Sequence, residues 1–426
     1  MRPKHWWSAL GALVSIRLAI PLVALSASGS DLPGLPAYTY VPLNGDAFGY
    51  YAAARETIAA AGRVSVPVAL VLGAVLAAAV LTLRRTWRGP KRWLGILVGG
   101  GAVALAALVV VDELAPPGAP VIGWPLLWAV PLAPYRLLAE PGPDVAFGFG
   151  FALSLAAIAT TVIATAHIGL YATGRRWIGL LAAALYTVWP FLARLAAGEQ
   201  AWENGQWHVD VGLHLYTEPL STALVAVALA IVLRPRSDLA ALVLSGHLLG
   251  LATAVKLSNA VIAVVLIVVV GARSGLRSAL AFAAAGATWI PVVVSYWPKG
   301  YVELYGGSTG PGEKTWSLDN AADAWTESLV FTPAFTLTLV ALAALGAAAI
   351  RRPFAAFPLA ASVLVTAALY SVYSFTPDHP RFFYVVLPPL LVLVATAPTL
   401  FATSNSPWRS RPDPSPADDR GGGSRS

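Results

Sequence analysis

The chain has 426 residues, of which 57% are hydrophobic and only 12% charged, with a mean hydropathy of +0.69. A soluble protein is about 25% charged, so this composition excludes an ordinary globular enzyme and predicts a polytopic membrane protein. The net charge of +7 is explained by the positive-inside rule rather than by nucleic acid, and the lack of cysteine excludes disulfides, thiolate metal sites and a cysteine nucleophile.

Apolar runs of bilayer-crossing length need about 20 residues each. They are expected at 6–27, 64–83, 93–111, 144–170, 177–197, 217–233, 239–255, 257–271, 278–297, 329–350, 353–374 and 381–402. The fold class is therefore an all-α integral membrane protein of about twelve transmembrane helices, with both ends on one side. Residues 6–27 read as an uncleaved first span, because no small-residue cleavage site follows a short apolar core. Charge supports this layout. Nineteen of the 28 Lys and Arg fall on the side assigned inside, in segments such as "RRTWRGPKR" (84–92) and "RPR" (234–236) and at the two ends of the chain, whereas 17 of the 21 Asp and Glu fall outside. The N- and C-termini are then cytoplasmic.

The outer segments 28–63, 112–143, 198–216 and 298–328 are the long ones. Residues 1–402 form one membrane domain. Residues 403–426 are rich in Pro, Gly and Ser and form a disordered tail. No P-loop or Gly-rich phosphate fingerprint occurs, which argues against an ATP-driven pump. Segment 121–139 carries Pro125, Pro131 and Pro134, so it reads as an interfacial or re-entrant piece rather than a regular span. Trp124, Trp128 and Tyr135 suit the headgroup level.

Chemistry-bearing side chains gather in these outer parts. "PLNGDAFGYYAAARETI" (41–57) opens with a turn at Asn44-Gly45 and continues as a surface helix. Asp46 stands at its N-cap position and shares a face with Tyr50 at i+4; Arg55 and Glu56 follow, and a solvated helix face is their structural alternative. Lys256 ends an apolar run, and Arg381 opens another beside His379. Snorkelling to the interface would explain both cations, yet ionisable groups at membrane depth are functional candidates by default. Arg17 lies deeper in the first span, where it pairs with an acidic loop residue or holds the bundle together. "HVDVGLHLYTE" supplies His208, Asp210, His214 and Glu218, with His214 and Glu218 on one helix face. Such N/O ligands could hold a divalent cation, or line a polar loop without metal; Glu218 also suits a helix N-terminus. Asp112 and Glu113 form an adjacent acidic pair at an outer helix end, a second choice of catalytic carboxylate. Residues 299–329 make a Gly- and aromatic-rich outer loop fit for sugar or headgroup contact.

"DAFGYYAAARE" resembles a pattern, Asp-x-x-x-Tyr-x-x-x-Ala-Arg-Glu, in the first outer loop of polytopic glycosyltransferases of the GT-C type, the family 39-like enzymes among them. The matching positions are Asp46, Tyr50, Ala54, Arg55 and Glu56. "GWPLLWAVPLAPYRLL" is similar to that family's Pro-Pro-Leu stretch, "YTEPLSTALVAVALAIVLRPR" to a middle span, "GLATAVKLSNAVIAVVLIVVV" to a short outward helix ending in a basic residue, and "HPRFFYVVLPPLLVL" to the last span. Two departures stand out. The hairpin 64–111 separates the first loop from the Pro-Leu stretch, and Gly123-Trp124 stands where the family often has Lys.

The resemblance implies a GT-C-like fold with loop helices on the outer face. It implies a glycosyltransferase that moves a hexosyl or pentosyl group from a polyprenyl-phosphate donor to a glycolipid, polysaccharide or protein acceptor, at the extracytoplasmic face of the cell membrane. Asp46 would be the general base of an inverting transfer, with Glu218 a second catalytic carboxylate. Lys256, Arg381 and His379 would bind the donor phosphate. Tyr50, Arg55, Glu56, His208, Asp210 and His214 would contact substrate, with no cofactor required beyond a conceivable divalent cation. The alternatives are a secondary transporter, which more often has paired intramembrane acids and a repeat, and a non-catalytic protein of cell-envelope assembly, which would tolerate loss of Asp46.

Overall fold

The computed structural model describes residues 3–26, 43, 46–114, 122–203, 215, 217–296, 333–372 and 383–402. Every regular element among them is helical. In chain order these are α1 (Pro3–Ser26), α2 (Asp46–Arg63), α3 (Val66–Thr86), α4 (Arg92–Asp112), α5 (Gly123–Arg136), α6 (Pro143–Thr173), α7 (Arg176–Glu203), α8 (Glu218–Leu233) and α9 (Leu239–Val255). A single 3₁₀ turn, Leu257–Asn259, leads into α10 (Ala260–Ser274). Then come α11 (Leu276–Ala287, extended after a turn to Tyr296), α12 (Pro333–Ala349), α13 (Pro353–Ser371), a 3₁₀ segment Phe383–Val386, α14 (Leu387–Thr396) and a last turn, Pro398–Ala402. Pro67, Pro143, Pro219 and Pro353 each sit within the first two positions of a helix, where the missing N–H costs nothing.

Each of the twelve expected apolar segments carries a helix. Eight helices are long and apolar enough to cross a membrane, so the chain is an all-α, multi-pass membrane protein. The four shorter ones are Arg176–Leu192, Glu218–Leu233, Leu239–Val255 and Ala334–Ala349. At 16 residues α8 is roughly 24 Å long, less than the ~30 Å of a hydrocarbon core. Its surroundings explain the shortness: nearly every side chain from Ser221 to Leu233 is buried against protein. By contrast α3, also apolar up to Arg84, buries only Ala79 and packs mainly on α4. A helix apolar all round belongs either in a core or in lipid, and these two divide that way.

Two helix-end layers follow from specific contacts. At one end, α2 and α5 lie across the end of α1 and the starts of α6 and α8, sharing a core of Tyr51, Trp124, Trp128, Phe147 and Leu215. Trp124 Nε1 donates to the Leu215 carbonyl (2.9 Å) and Trp128 Nε1 to that of Ala146 (3.0 Å). Arg63 reaches from α2 to the Glu113 carbonyl at the end of α4 (2.6 Å). At the opposite end, Arg92 at the start of α4 pairs with Asp238 before α9, and Arg273 of α10 donates to the carbonyls of Val232 (2.5 Å) and Arg234 (2.6 Å) behind α8. Helices 8, 9 and 10 thus alternate in direction, and α4 runs parallel to α9.

The α3–α4 hairpin is seated by a lone histidine. His247, midway along α9, projects into the Gly99-Gly100-Gly101 run of α4. A Cβ on Gly100 would fall 2.3 Å from its Nε2. Only glycine allows that approach.

Candidate functional site

The capped end holds a buried polar cluster where α8, α9, α10 and α13 meet. Glu218 opens α8 and Lys256 follows the last residue of α9, 38 positions on. Their side chains are 4% and 12% exposed, and Lys256 Nζ donates to Glu218 Oε1 at 2.7 Å. Lys256 adopts an extended backbone (φ −154°, ψ 111°), which breaks the helix and turns the chain into the 3₁₀ turn. Asn259 fastens that turn: its Nδ2 donates to Ser221 Oγ (2.7 Å) and to the Ala252 carbonyl (2.8 Å). The Tyr370 hydroxyl at the end of α13 donates to Ser258 Oγ (2.6 Å), and its ring lies 5.8 Å from Lys256 Nζ, within cation–π range. Phe383 packs on Tyr370 at 6.0 Å. Asn259 Oδ1 and Thr222 Oγ1 are buried and make no hydrogen bond among the described residues.

The Pro-rich helix closes one side. A Cβ on Gly123, the first residue of α5, would meet the Val255 nitrogen at 2.7 Å and the Ala254 carbonyl carbon at 2.9 Å. α5 therefore abuts the backbone that presents Lys256. A larger side chain at this position would have no room.

A second cluster lies one residue along the 3₁₀ segment. Arg17 is 2% exposed inside α1. Its Nη2 donates to the Tyr384 hydroxyl (3.1 Å), to which Tyr186 also donates (3.0 Å), and its guanidinium lies 5.8 Å from the Tyr186 ring. Its Nε has no hydrogen-bond partner among the described residues. Among the described residues the partners of Arg17 are thus two tyrosines from other helices, and it ties α1 to α7 and to the 3₁₀ segment.

The remaining sequence candidates divide. Asp46 is the first residue of α2; its side chain lies outside the described residues, as do His208, Asp210, His214, His379 and Arg381. Tyr50 is buried in the α2–α5 core. Arg55 pairs with Glu140 (2.8 Å) across half-exposed side chains and lies over the Tyr51 ring, while Glu56 pairs with Arg63 (2.5 Å). The first pair ties α2 to the segment after α5, and the second lies within α2. Asp112 and Glu113 are exposed at the end of α4, Glu113 lending its carbonyl to Arg63. Among the described residues, no three His, Asp or Glu side chains are placed to hold a metal. Sequence reasoning missed Tyr370, Asn259 and Ser221. The only available signal was "KLSN", a polar four-residue break between two apolar runs.

Comparison with protein-family models, with curated proteins and with solved structures returned no match to this chain.

Proposed function

We propose that this protein is a membrane glycosyltransferase with a GT-C-like bundle of about twelve spans. It transfers a sugar from a polyprenyl-phosphate donor to an acceptor hydroxyl. In this reading the capped end is extracytoplasmic and the Arg-rich end cytoplasmic, following the charge layout. The observation that carries the reading is the buried Glu218–Lys256 pair at the helix break, beside the Tyr370 ring.

The chemistry needs three things. The acceptor oxygen attacks the anomeric carbon, forming the new glycosidic bond as the bond to the phosphate oxygen breaks. A carboxylate takes the acceptor's proton, the role assigned to Asp46. A preorganised cation stabilises the leaving polyprenyl phosphate, the role assigned to Lys256 with Arg381 and His379. Glu218 holds the Lys256 ammonium in place until the donor phosphate competes for it. Mechanism favours a pre-placed cation, because it needs no reorganisation as charge develops.

The test is sugar transfer by purified protein from polyprenyl-phosphate sugars. Asp46→Asn should abolish transfer while the protein stays monodisperse and inserted. Full activity in that variant would remove Asp46 as the base.

A further inference from the structure

At the Arg-rich end, the α3–α4 turn and the start of α9 enclose a cleft of about 500 Å³. Trp87, Arg88, Arg92, Trp93 and Asp238 are among its walls. The one acid is occupied twice: Asp238 Oδ1 accepts from the Ala241 N–H at 2.9 Å and caps α9, and Oδ2 pairs with Arg92. Arg88 is exposed and forms no ion pair among the described residues. Arg84, Arg85 and Lys91 are exposed on the same turn and the helix end leading into it, so the cleft keeps a positive field. Beyond it, Val80, Leu81, Leu94 and Val98 are all exposed on the two helices of the hairpin. Exposed apolar side chains on both helices thus lie next to a cationic, tryptophan-lined mouth.

We propose that this cleft binds the phosphate headgroup of an anionic glycerophospholipid, whose acyl chains run along the α3–α4 hairpin. Arginine matches a phosphodiester bidentately. Tryptophan sits at headgroup depth, and basic pockets between spanning helices take anionic headgroups. The cleft lies where two helices with exposed apolar sides meet their polar turn, so a headgroup held there leaves its acyl chains beside those sides. The site lies at the other end of the bundle from the Glu218–Lys256 cluster and stands independently of the glycosyltransferase reading.

Native mass spectrometry of the full chain in detergent tests it, with phosphatidylglycerol and phosphatidylcholine of identical chains as probes. Phosphatidylglycerol should be retained at least about tenfold better. Arg88→Gln should lower that retention about fivefold, the effect of one basic group at a membrane surface, and leave phosphatidylcholine unchanged. Arg175→Gln, an exposed arginine in the α6–α7 turn, should change neither. Equal retention of the two lipids overturns the proposal, as does an equal loss in the Arg88 and Arg175 variants, which would mean diffuse charge. Glycerol phosphate displacing the lipid at equal concentration would assign the cleft to a free phosphate and overturn the lipid.

Discussion

Removing one member of the Glu218–Lys256 pair should cost far more than removing both. The two side chains are 4% and 12% exposed and touch at 2.7 Å. In Lys256→Met the Glu218 carboxylate is left buried without its cation, and in Glu218→Gln the ammonium is stranded. Breaking a buried pair from one side costs about 3–5 kcal/mol, whereas replacing both members by apolar groups of similar volume is often near neutral. A 1 kcal/mol loss lowers Tm by about 2–4 °C in a chain of 150–250 residues and by less in a longer one. Each single variant should therefore melt on the order of 5 °C lower, and Lys256→Met with Glu218→Leu should recover most of that loss. Fluorescence-detected size exclusion after heating reads Tm, and donor binding is measured on the same samples. If Lys256 serves the donor phosphate, the double variant regains stability but not donor affinity. Unchanged melting in Lys256→Met would refute the buried pair. Donor affinity recovering together with stability would refute the phosphate role and leave the pair purely structural.

Other consequences are as direct. Gly100→Ala should destabilise by about 1–3 kcal/mol through overpacking, since the added methyl falls on His247; adding His247→Ala should restore most of it, read as melting of the double variant. Tyr384→Phe removes the hydroxyl that accepts from Arg17 and Tyr186 and should cost about 1–3 kcal/mol; Tyr186→Phe should cost less, because it leaves Arg17 its partner. Trp124→Phe deletes the bond to the Leu215 carbonyl and should cost about 1 kcal/mol in the same melting assay.

The bundle was largely legible in the sequence because lipid imposes its own code. Runs such as 64–83 and 93–111 have no other stable solution than helices, and Asp238, Pro143 and Pro219 announce where helices begin. Hydropathy does not say which helices face lipid. α3 and α8 are both apolar runs, yet α3 buries only Ala79 while most of α8 is enclosed, a difference made by neighbours distant in the chain. The site was half legible. Glu218 and Lys256 each stood out as charges at apolar ends, but their pairing spans 38 residues and that of Arg17 with Tyr384 spans 367. Such partners are set by tertiary packing alone. His247 was missed because a single histidine in an apolar run carries no local signal; its counterpart, the triple glycine, lies on another helix.

The 3₁₀ segment Phe383–Val386 has a mechanical consequence. Phe383 leans on Tyr370, the tyrosine whose ring lies near Lys256, and the next residue, Tyr384, holds Arg17. Consecutive residues of one short turn thus bear on two cationic centres. The backbone of this one turn therefore sets the position of both the ring against Tyr370 and the phenol that meets the guanidinium in α1.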